Sequence, residues 1–558
     1  MSTTLNGAQA LMRTLADSGV QVCFSNPGTS EMHFVAALDS EPRMRAVLTL
    51  FEGVATGAAD GYARMAGKPA ATLLHLGCGL GNGLANLHNA RKGRVPVLNI
   101  VGDHATYHVQ YDAPLQSDIE TVARNVSTWV RTSSSTAGLC HDAVEAVSAS
   151  MGPPGQVATL ILPANVSWGE GGVPALPRVS PPPPCAQDEV VKRIAQLLQR
   201  DGKAALLLGN RALREPSLMA ASRIAARTGA KLFAEVLPTR IERGAGLPHV
   251  ERIAYLAELA SVQLRGYDYL ILVDAKAPVS FFAYPGKVGY VVPEGCEVHE
   301  LATFEQDPAG TLAQLCRLLN AEAVAPQLQR DVRPGRPRGK LTAEKVCKAV
   351  GLLLPERAIV VDEAQTSGVM LPMFTAGCPR HDVLTLTGGA LGLGLPAAVG
   401  AAVACPDRPV LALVGDGSAM YTIQALWTMA RERLNVTSIV FNNRSYAILD
   451  VELQRVGATS QGGGRGIKAR SQLDLSEPAL DFVQMSQSMG VHAVRVTSAE
   501  EMVDALDRAL RTTGPHLIEA MVPVAFSRFK LLLLPHVLGS LAALPKPIAL
   551  AIKRKLTP

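Results

Sequence analysis

Short apolar runs recur along the chain, each ending in small or polar residues, with longer helical patterns between them. In the first third these runs are VQVCFSNPG, ATLLHLG and VPVLNIVGD; in the middle they are AALLLGN and YLILVDA; in the last third they are AIVVDEAQ, VLALVGDG and TSIVFNN. Short β-branched runs alternating with helices predict parallel α/β units, buried on both faces. Ligands of such sheets sit at the carboxyl ends of the strands, so the polar residues closing each run are where chemistry is expected. The first twenty residues, MSTTLNGAQALMRTLADSGV, read as an amphipathic helix with an internal Asp17 and no apolar signal core.

Two breaks interrupt the alternation. Pro174–Gln187 holds four consecutive prolines, Pro181 to Pro184, a stiff extended linker. Ala321–Lys340 is rich in Pro, Arg and Gln. Three doubly wound parallel-sheet domains are therefore expected, over residues 1–175, 188–325 and 341–525, which agrees with about 100–200 residues per domain for a chain of 558. The remainder, 526–558, is an apolar tail containing LLLLPHVLGSLAALPKPIALAI and then KRK. Its length approaches the roughly 20 residues of a membrane span, but Pro535, His536, Pro545, Lys546 and Pro547 interrupt it. Packing on the protein is the expectation, with a peripheral membrane contact as the alternative.

Composition narrows the class. Apolar residues make up 48% and charged residues 18%, as in a globular protein with large cores. The net charge is +5, with no basic stretch interleaved with aromatics, so nucleic acid is not an expected partner. The nine cysteines are scattered without a CxxC pair, which points to reduced thiols in a cytoplasmic protein rather than a zinc site or disulfide framework.

The densest chemistry lies in the last third. The run Val410–Val414 leads into Gly415-Asp416-Gly417-Ser418; a helical pattern follows from about Tyr421 to Arg433, and a second strand, Ser438–Phe441, ends in Asn442-Asn443. Adjacent parallel strands would bring Asp416 and Asn443, 27 positions apart, to one sheet edge. A carboxylate, an amide carbonyl and a backbone carbonyl are hard oxygen ligands suited to Mg²⁺. The glycines let the backbone approach a phosphate, and a helix N-terminus favours the anion. The glycine-rich Gly77–Gly83 does not satisfy GxGxxG, and no Walker A sequence occurs. In the first third, Glu52 opens an Ala/Gly-rich helical stretch, where a carboxyl among apolar neighbours can share a proton with a ligand nitrogen.

The GDGS…NN arrangement, together with E…ADGYAR from Glu52 to Arg64, resembles the thiamine diphosphate-dependent enzymes. The resemblance covers about residues 5–525 and is nearest to the branch containing benzoylformate decarboxylase and acetolactate synthase, whose N-terminal loop Asn26-Pro27-Gly28 matches. It implies thiamine diphosphate and Mg²⁺, the metal held by Asp416, Asn443 and the Ser445 carbonyl. Glu52 would hydrogen-bond the aminopyrimidine ring and so activate the thiazolium carbon. Leu391, within Gly389–Pro396, would prop the cofactor into its bent shape; Gly389, Gln365, Thr366, Gly417, Ser418 and Tyr446 would complete its pocket. In this family the pyrimidine block of one subunit faces the diphosphate block of another, so a homodimer or homotetramer with interfacial sites is implied.

The same resemblance sets the reaction class as decarboxylation or carboligation of a small 2-oxo acid. His75, 23 residues after Glu52, falls on a catalytic histidine of benzoylformate decarboxylase, and Thr29 on a serine that contacts the substrate carboxylate. Gln116, in a segment resembling the DAFQ stretch of acetolactate synthases, is a candidate pocket residue. The second histidine of benzoylformate decarboxylase has no counterpart, Ala283 standing near its place. Acetolactate synthases usually follow the glutamate with Gln, where this chain has Gly53. Acetohydroxyacid synthase proper and 2-hydroxyacyl lyase remain alternatives, and FAD is left open because no site for it is identified. A non-catalytic regulatory paralogue that binds the cofactor would be expected to lack one of Glu52, Asp416 and Asn443; all three are present.

Overall fold

The computed structural model describes residues 4–178, 181–284, 286, 289–455, 467–524, 537–538 and 540–556. The chain is α/β, with three parallel sheets. The first block supplies β1 (Val22–Asn26), β2 (Arg45–Leu48), β3 (Ala70–Leu74), β4 (Val97–Asp103), β5 (Trp129–Thr132) and β6 (Val157–Pro163). Their order is β2-β1-β3-β4-β6-β5, every pair parallel. Every residue of β3 is buried, as expected of a strand covered by helices on both faces.

The middle block contributes β7 (Ala204–Leu208), β8 (Lys231–Ala234), β9 (Arg240–Arg243), β10 (Glu251–Arg252), β11 (Tyr269–Val273) and β12 (Glu297–Ala302). Five of these form a sheet ordered β10-β8-β7-β11-β12. β9 leaves its own block and pairs antiparallel with the third sheet. That sheet is built from β13 (Ile359–Glu363), β14 (His381–Thr385), β15 (Val410–Gly415), β16 (Val436–Asn442), β17 (His492–Val496) and β18 (His516–Met521), ordered β17-β18-β16-β15-β13-β14-β9. The antiparallel edge was not predicted; RIER carries too little apolar pattern to mark itself as a strand.

One helix crossing joins the first and third blocks. The helix Glu52–Ala66 lies against Gly394–Ala404, and residues of both share a single core. Side chains are absent at the closest points: a Cβ at Gly61 would fall 2.1 Å from Ala397 O, and one at Gly400 1.8 Å from Ala58 O. The backbones therefore touch, a separation that only glycine permits. One turn further on, Arg64 closes the contact. Its guanidinium donates to the Asp60 carboxylate, to Thr385 O (2.7 Å), to Thr239 O (3.0 Å) and to Thr387 Oγ1 (3.1 Å). Both ionic side chains are fully buried. The Asp60 and Arg64 of the ADGYAR stretch thus fasten the first block to the third.

The described part of the tail packs on the middle block. Leu538, Leu541 and Ala549 join Ala254, Leu259, Val262 and Val451 in one cluster. Arg265 donates to Leu541 O and Leu544 O (2.8 and 2.9 Å), and the buried Lys553 pairs with Glu251 at 3.1 Å. The leucine run Leu531–Leu534 lies outside the described residues. Among the described residues no helix is long and apolar enough to cross a membrane.

Two outcomes are expected. Arg64→Ala strands Asp60 in the core and should cost about 3–5 kcal/mol of stability in denaturant unfolding; a change below about 1 kcal/mol would contradict the clamp. Deleting the chain after Val524 should lower the unfolding temperature, while the full chain stays in the supernatant with anionic liposomes; pelleting with them would show that the tail serves a membrane.

Candidate active site

Glu52 occupies the first turn of its helix, directly after β2, and is 7% exposed. Asn82 Nδ2 donates to its Oε2 at 3.0 Å. Asn82 lies on the helix Leu76–Gly93, which His75 begins. Gly79 of that helix separates Glu52 from His75: a Cβ there would lie 3.2 Å from Glu52 Oε1 and 3.4 Å from His75 Cβ. Two residues that sequence places 23 positions apart thus both lie against Gly79.

His75 is held by a carboxylate that sequence reasoning did not select. Glu31, 1% exposed, lies with its Oε2 2.9 Å from His75 Nδ1; the same carboxylate accepts the Gly28 N–H at 2.7 Å and the Ser30 hydroxyl at 2.5 Å. The Ser30 oxygen is also 3.2 Å from His75 Nδ1. This network assigns the Nδ1 proton to the Glu31 hydrogen bond and leaves Nε2 for exchange with a ligand. The imidazole crowds the NPG loop: a Cβ at Gly28 would sit 2.1 Å from Nδ1. Parallel pairing of β1 with β3 puts Asn26 opposite Leu74, so the residues after each strand meet. Thr29 is exposed and lines a cavity of about 300 Å³ together with Ser30, Leu76, His104, Tyr107 and Trp168. Gln116 Oε1 is buried on the loop after β4, without a hydrogen-bond partner among the described residues.

The second group of residues stands on the third sheet. β15 and β16 are neighbours, Gly415 opposite Phe441, so Asp416 and Asn443 emerge at the same edge. Asp416 is 2% exposed, and burial pushes its carboxyl above the usual range. Its two oxygens accept the Gly417 and Arg444 N–H groups at 2.9 and 2.6 Å. Asn443 Oδ1 accepts the Ser445 N–H at 2.9 Å, and Ser445 O accepts the Ala447 N–H at 2.8 Å. A carboxylate, an amide oxygen and a peptide oxygen at one sheet edge form a hard-oxygen donor set that fits Mg²⁺. Among the described residues no three His, Cys, Asp or Glu side chains converge as a metal group. Gly417 lies under the Tyr446 ring, where a Cβ would be 2.3 Å from Cε1. Ser418 is buried in the same short helix, Asp416–Tyr421.

A loop ties the two groups together. Asn86 Nδ2, on the His75 helix, donates to both Gly53 O (2.8 Å) and Gly392 O (3.1 Å); Asn89 exchanges hydrogen bonds with Ala390. Leu391 therefore stands next to the turn that begins with Glu52, half-buried against the shared core. Gly392 needs its φ of +96° and its missing side chain, since a Cβ would fall 2.6 Å from that of Tyr421. Glu363, at the end of β13, accepts the Gly392 and Gly394 N–H groups at 2.6 and 2.5 Å, and burial pushes its carboxyl up to about 7. Gln365 and Thr366 follow in a tight turn, Gln365 with φ +50°. Gly389 faces Phe281 of the middle block, whose ring would lie 3.5 Å from a Cβ there. Within the stretch predicted helical from about Tyr421 to Arg433 the structure has the helix Ala425–Arg431, and a short helix, Asp416–Tyr421, precedes it. The break falls at Thr422, whose hydroxyl donates to Gly392 O at 3.0 Å instead of continuing the helix.

Comparison with known proteins gives this arrangement its class. Residues 5–124 match the N-terminal TPP binding domain of thiamine pyrophosphate enzymes, and residues 364–520 the C-terminal TPP binding domain. The chain belongs to the thiamine diphosphate-dependent enzyme family. Within it the chain is related to acetolactate synthase and benzoylformate decarboxylase. A Mycobacterium tuberculosis protein named "Putative acetolactate synthase large subunit IlvX" is 57% identical over 528 residues, covering 93% of this chain and 99% of the relative. Benzoylformate decarboxylase of Pseudomonas aeruginosa is 28% identical, over 90% and 96% of the two chains. The thiamine diphosphate-dependent 4-hydroxybenzoylformate decarboxylase of Rhodococcus jostii superposes with a TM-score of 0.80 at 24% identity, over 93% of this chain and 99% of that one.

Glu31→Gln keeps the shape but replaces an acceptor oxygen with a donor. Turnover should fall on the order of a hundredfold, with cofactor affinity unchanged; unaltered kcat would remove Glu31 from the site.

Proposed function

We propose that the chain is a Mg²⁺-dependent 2-oxo acid decarboxylase or carboligase of this family, with its active sites between two copies of the chain. Asp416 Oδ, Asn443 Oδ1 and the Ser445 carbonyl would hold Mg²⁺. The metal would anchor the diphosphate, and the Gly417 and Ser418 N–H groups, Gln365, Thr366 and Tyr446 would surround it. Leu391 and the Gly389 turn would support the bend of the cofactor. Bound thiamine diphosphate supplies a carbon centre that adds to the substrate carbonyl and accommodates the electron pair left when CO₂ departs.

The chain's own residues do the rest. Glu52 would share a proton with the aminopyrimidine nitrogen. Thr29, at the mouth of the cavity, would orient the substrate carboxylate. The C1–C2 bond of the 2-oxo acid breaks and CO₂ leaves. The remaining acyl carbon would then take either a proton, picked up from solvent by His75 Nε2 and delivered by it, to give an aldehyde, or the carbonyl carbon of an acceptor, whose oxygen takes up that proton, to give a hydroxy ketone or hydroxy acid. Gln116 would be a further residue of the substrate pocket. The observation that carries this reading is the pair of strand-end groups, Glu52 with the Glu31-held His75 in the first block and Asp416 with Asn443 at one edge of the third sheet, which would meet across two copies of the chain.

The assembly reading is supported by the surface beside the cavity, where Tyr107, Val109, Tyr111 and Leu115 are all more than a third exposed. A second copy covering that strip would bring a diphosphate block to it. Nine free cysteines support a reducing, cytoplasmic setting.

The test is a CO₂-release screen with thiamine diphosphate and Mg²⁺ over pyruvate, 2-oxobutyrate, branched 2-oxo acids and benzoylformate, with products resolved as aldehyde or ligated ketone. At least one substrate should release CO₂, and Glu52→Gln should lose on the order of a hundredfold or more of that rate. No CO₂ from any of them would overturn the reading, and a Glu52→Gln rate within a few-fold of wild type would take Glu52 out of it.

A further inference from the structure

The middle sheet has a topological switch point. β8 and β11 lie on opposite sides of β7, so the loops after β7 and β11 diverge there, and sheets of this kind take dinucleotides in that crevice. The N–H groups at the start of the β7 loop are the natural diphosphate donors. In this chain they are already satisfied. Gly209 N donates to Val273 O (3.0 Å), Asn210 N to Glu235 Oε1 (3.0 Å) and Arg211 N to Asp274 Oδ2 (3.0 Å). Two carboxylates stand where phosphate oxygens would have to go, and they would repel them. The crevice is also shut: a Cβ at Gly209 would fall 2.4 Å from Asp274 O and 3.0 Å from Ala275 Cβ.

The space above is filled from another block. Arg94 ends the helix Leu76–Gly93 in a left-handed conformation, and its guanidinium carbon lies 3.2 Å from the centre of the Phe304 ring. It is within electrostatic reach of both Glu235 and Asp274. Arg211 holds the Phe304 loop in place, donating to Phe304 O and Gln306 O at 2.7 Å each and to Asp274 at 3.1 Å. FAD therefore does not fit the residues present.

We propose that the middle domain of this chain takes no flavin or other dinucleotide and is instead a latch, in which Glu235 and Asp274 occupy the phosphate-binding amides and, with Phe304, receive Arg94 of the first block. The helix ending at Arg94 is the one that begins after His75, so the latch holds the far end of an active-site helix.

The full chain, with and without thiamine diphosphate and Mg²⁺, is incubated with excess FAD, desalted and heat-denatured, and released flavin is read by fluorescence. No retained flavin is expected in either state; near-stoichiometric flavin in either would overturn the proposal. For the latch, Arg94→Ala and Phe304→Ala should each lower the unfolding temperature by about 2–6 °C. The double variant should lose less than the sum of the two. Additive losses, or no loss from either, would overturn the latch.

Discussion

The backbone contact between Glu52–Ala66 and Gly394–Ala404 sets where everything else in the site can be. At Gly61 and Gly400 the two helices approach so closely that a methyl group would overlap a carbonyl oxygen. Such a crossing leaves little freedom to slide or rotate. It fixes Glu52, at the start of one helix, against the loop that leads into the other. Asn86 then bonds both partners from a third helix, and Arg64 closes the far side with a buried ion pair. The turn at Glu52 and the loop at Leu391 gain a defined separation within the chain from small residues rather than from large ones.

The chemistry is layered on that frame by strand ends. Asn26 and Leu74 pair, so the loops that follow put Glu31 on His75. Gly415 and Phe441 pair, so Asp416 and Asn443 share an edge. Each half is assembled by adjacent parallel strands whose carboxyl ends point the same way, the general site of ligand binding in such sheets. Burial then shapes the groups: Glu363, desolvated beneath the Gly392 turn, uses both oxygens to hold backbone amides of the loop that carries Leu391.

Much of this was legible in the sequence, because the central strands are continuous apolar runs and the cofactor motifs sit at their ends. Edge strands were not. RAVL, WVRT and RIER mix polar with apolar residues because one side faces solvent or another element, and β9 joins a sheet more than a hundred residues away in sequence. Glu31 was missed for a related reason. Beside Thr29 it reads as an ordinary helix-start acid, and only the β1–β3 pairing reveals that His75 lies above it. Glu363 was passed over inside AIVVDEAQ because its role is to satisfy amides of a loop about thirty residues on. The break at Thr422 depends likewise on a carbonyl from that loop, which no local pattern contains.

In the proposed assembly Glu52 of one copy and the Asp416 motif of the other would grip one coenzyme between them. Titration calorimetry of the full chain with thiamine diphosphate tests it most directly. A saturable heat is predicted with Mg²⁺ present, lost when the metal is chelated and lost in Asp416→Ala. Heat that is indifferent to both the metal and Asp416, or no heat at all, would contradict the account.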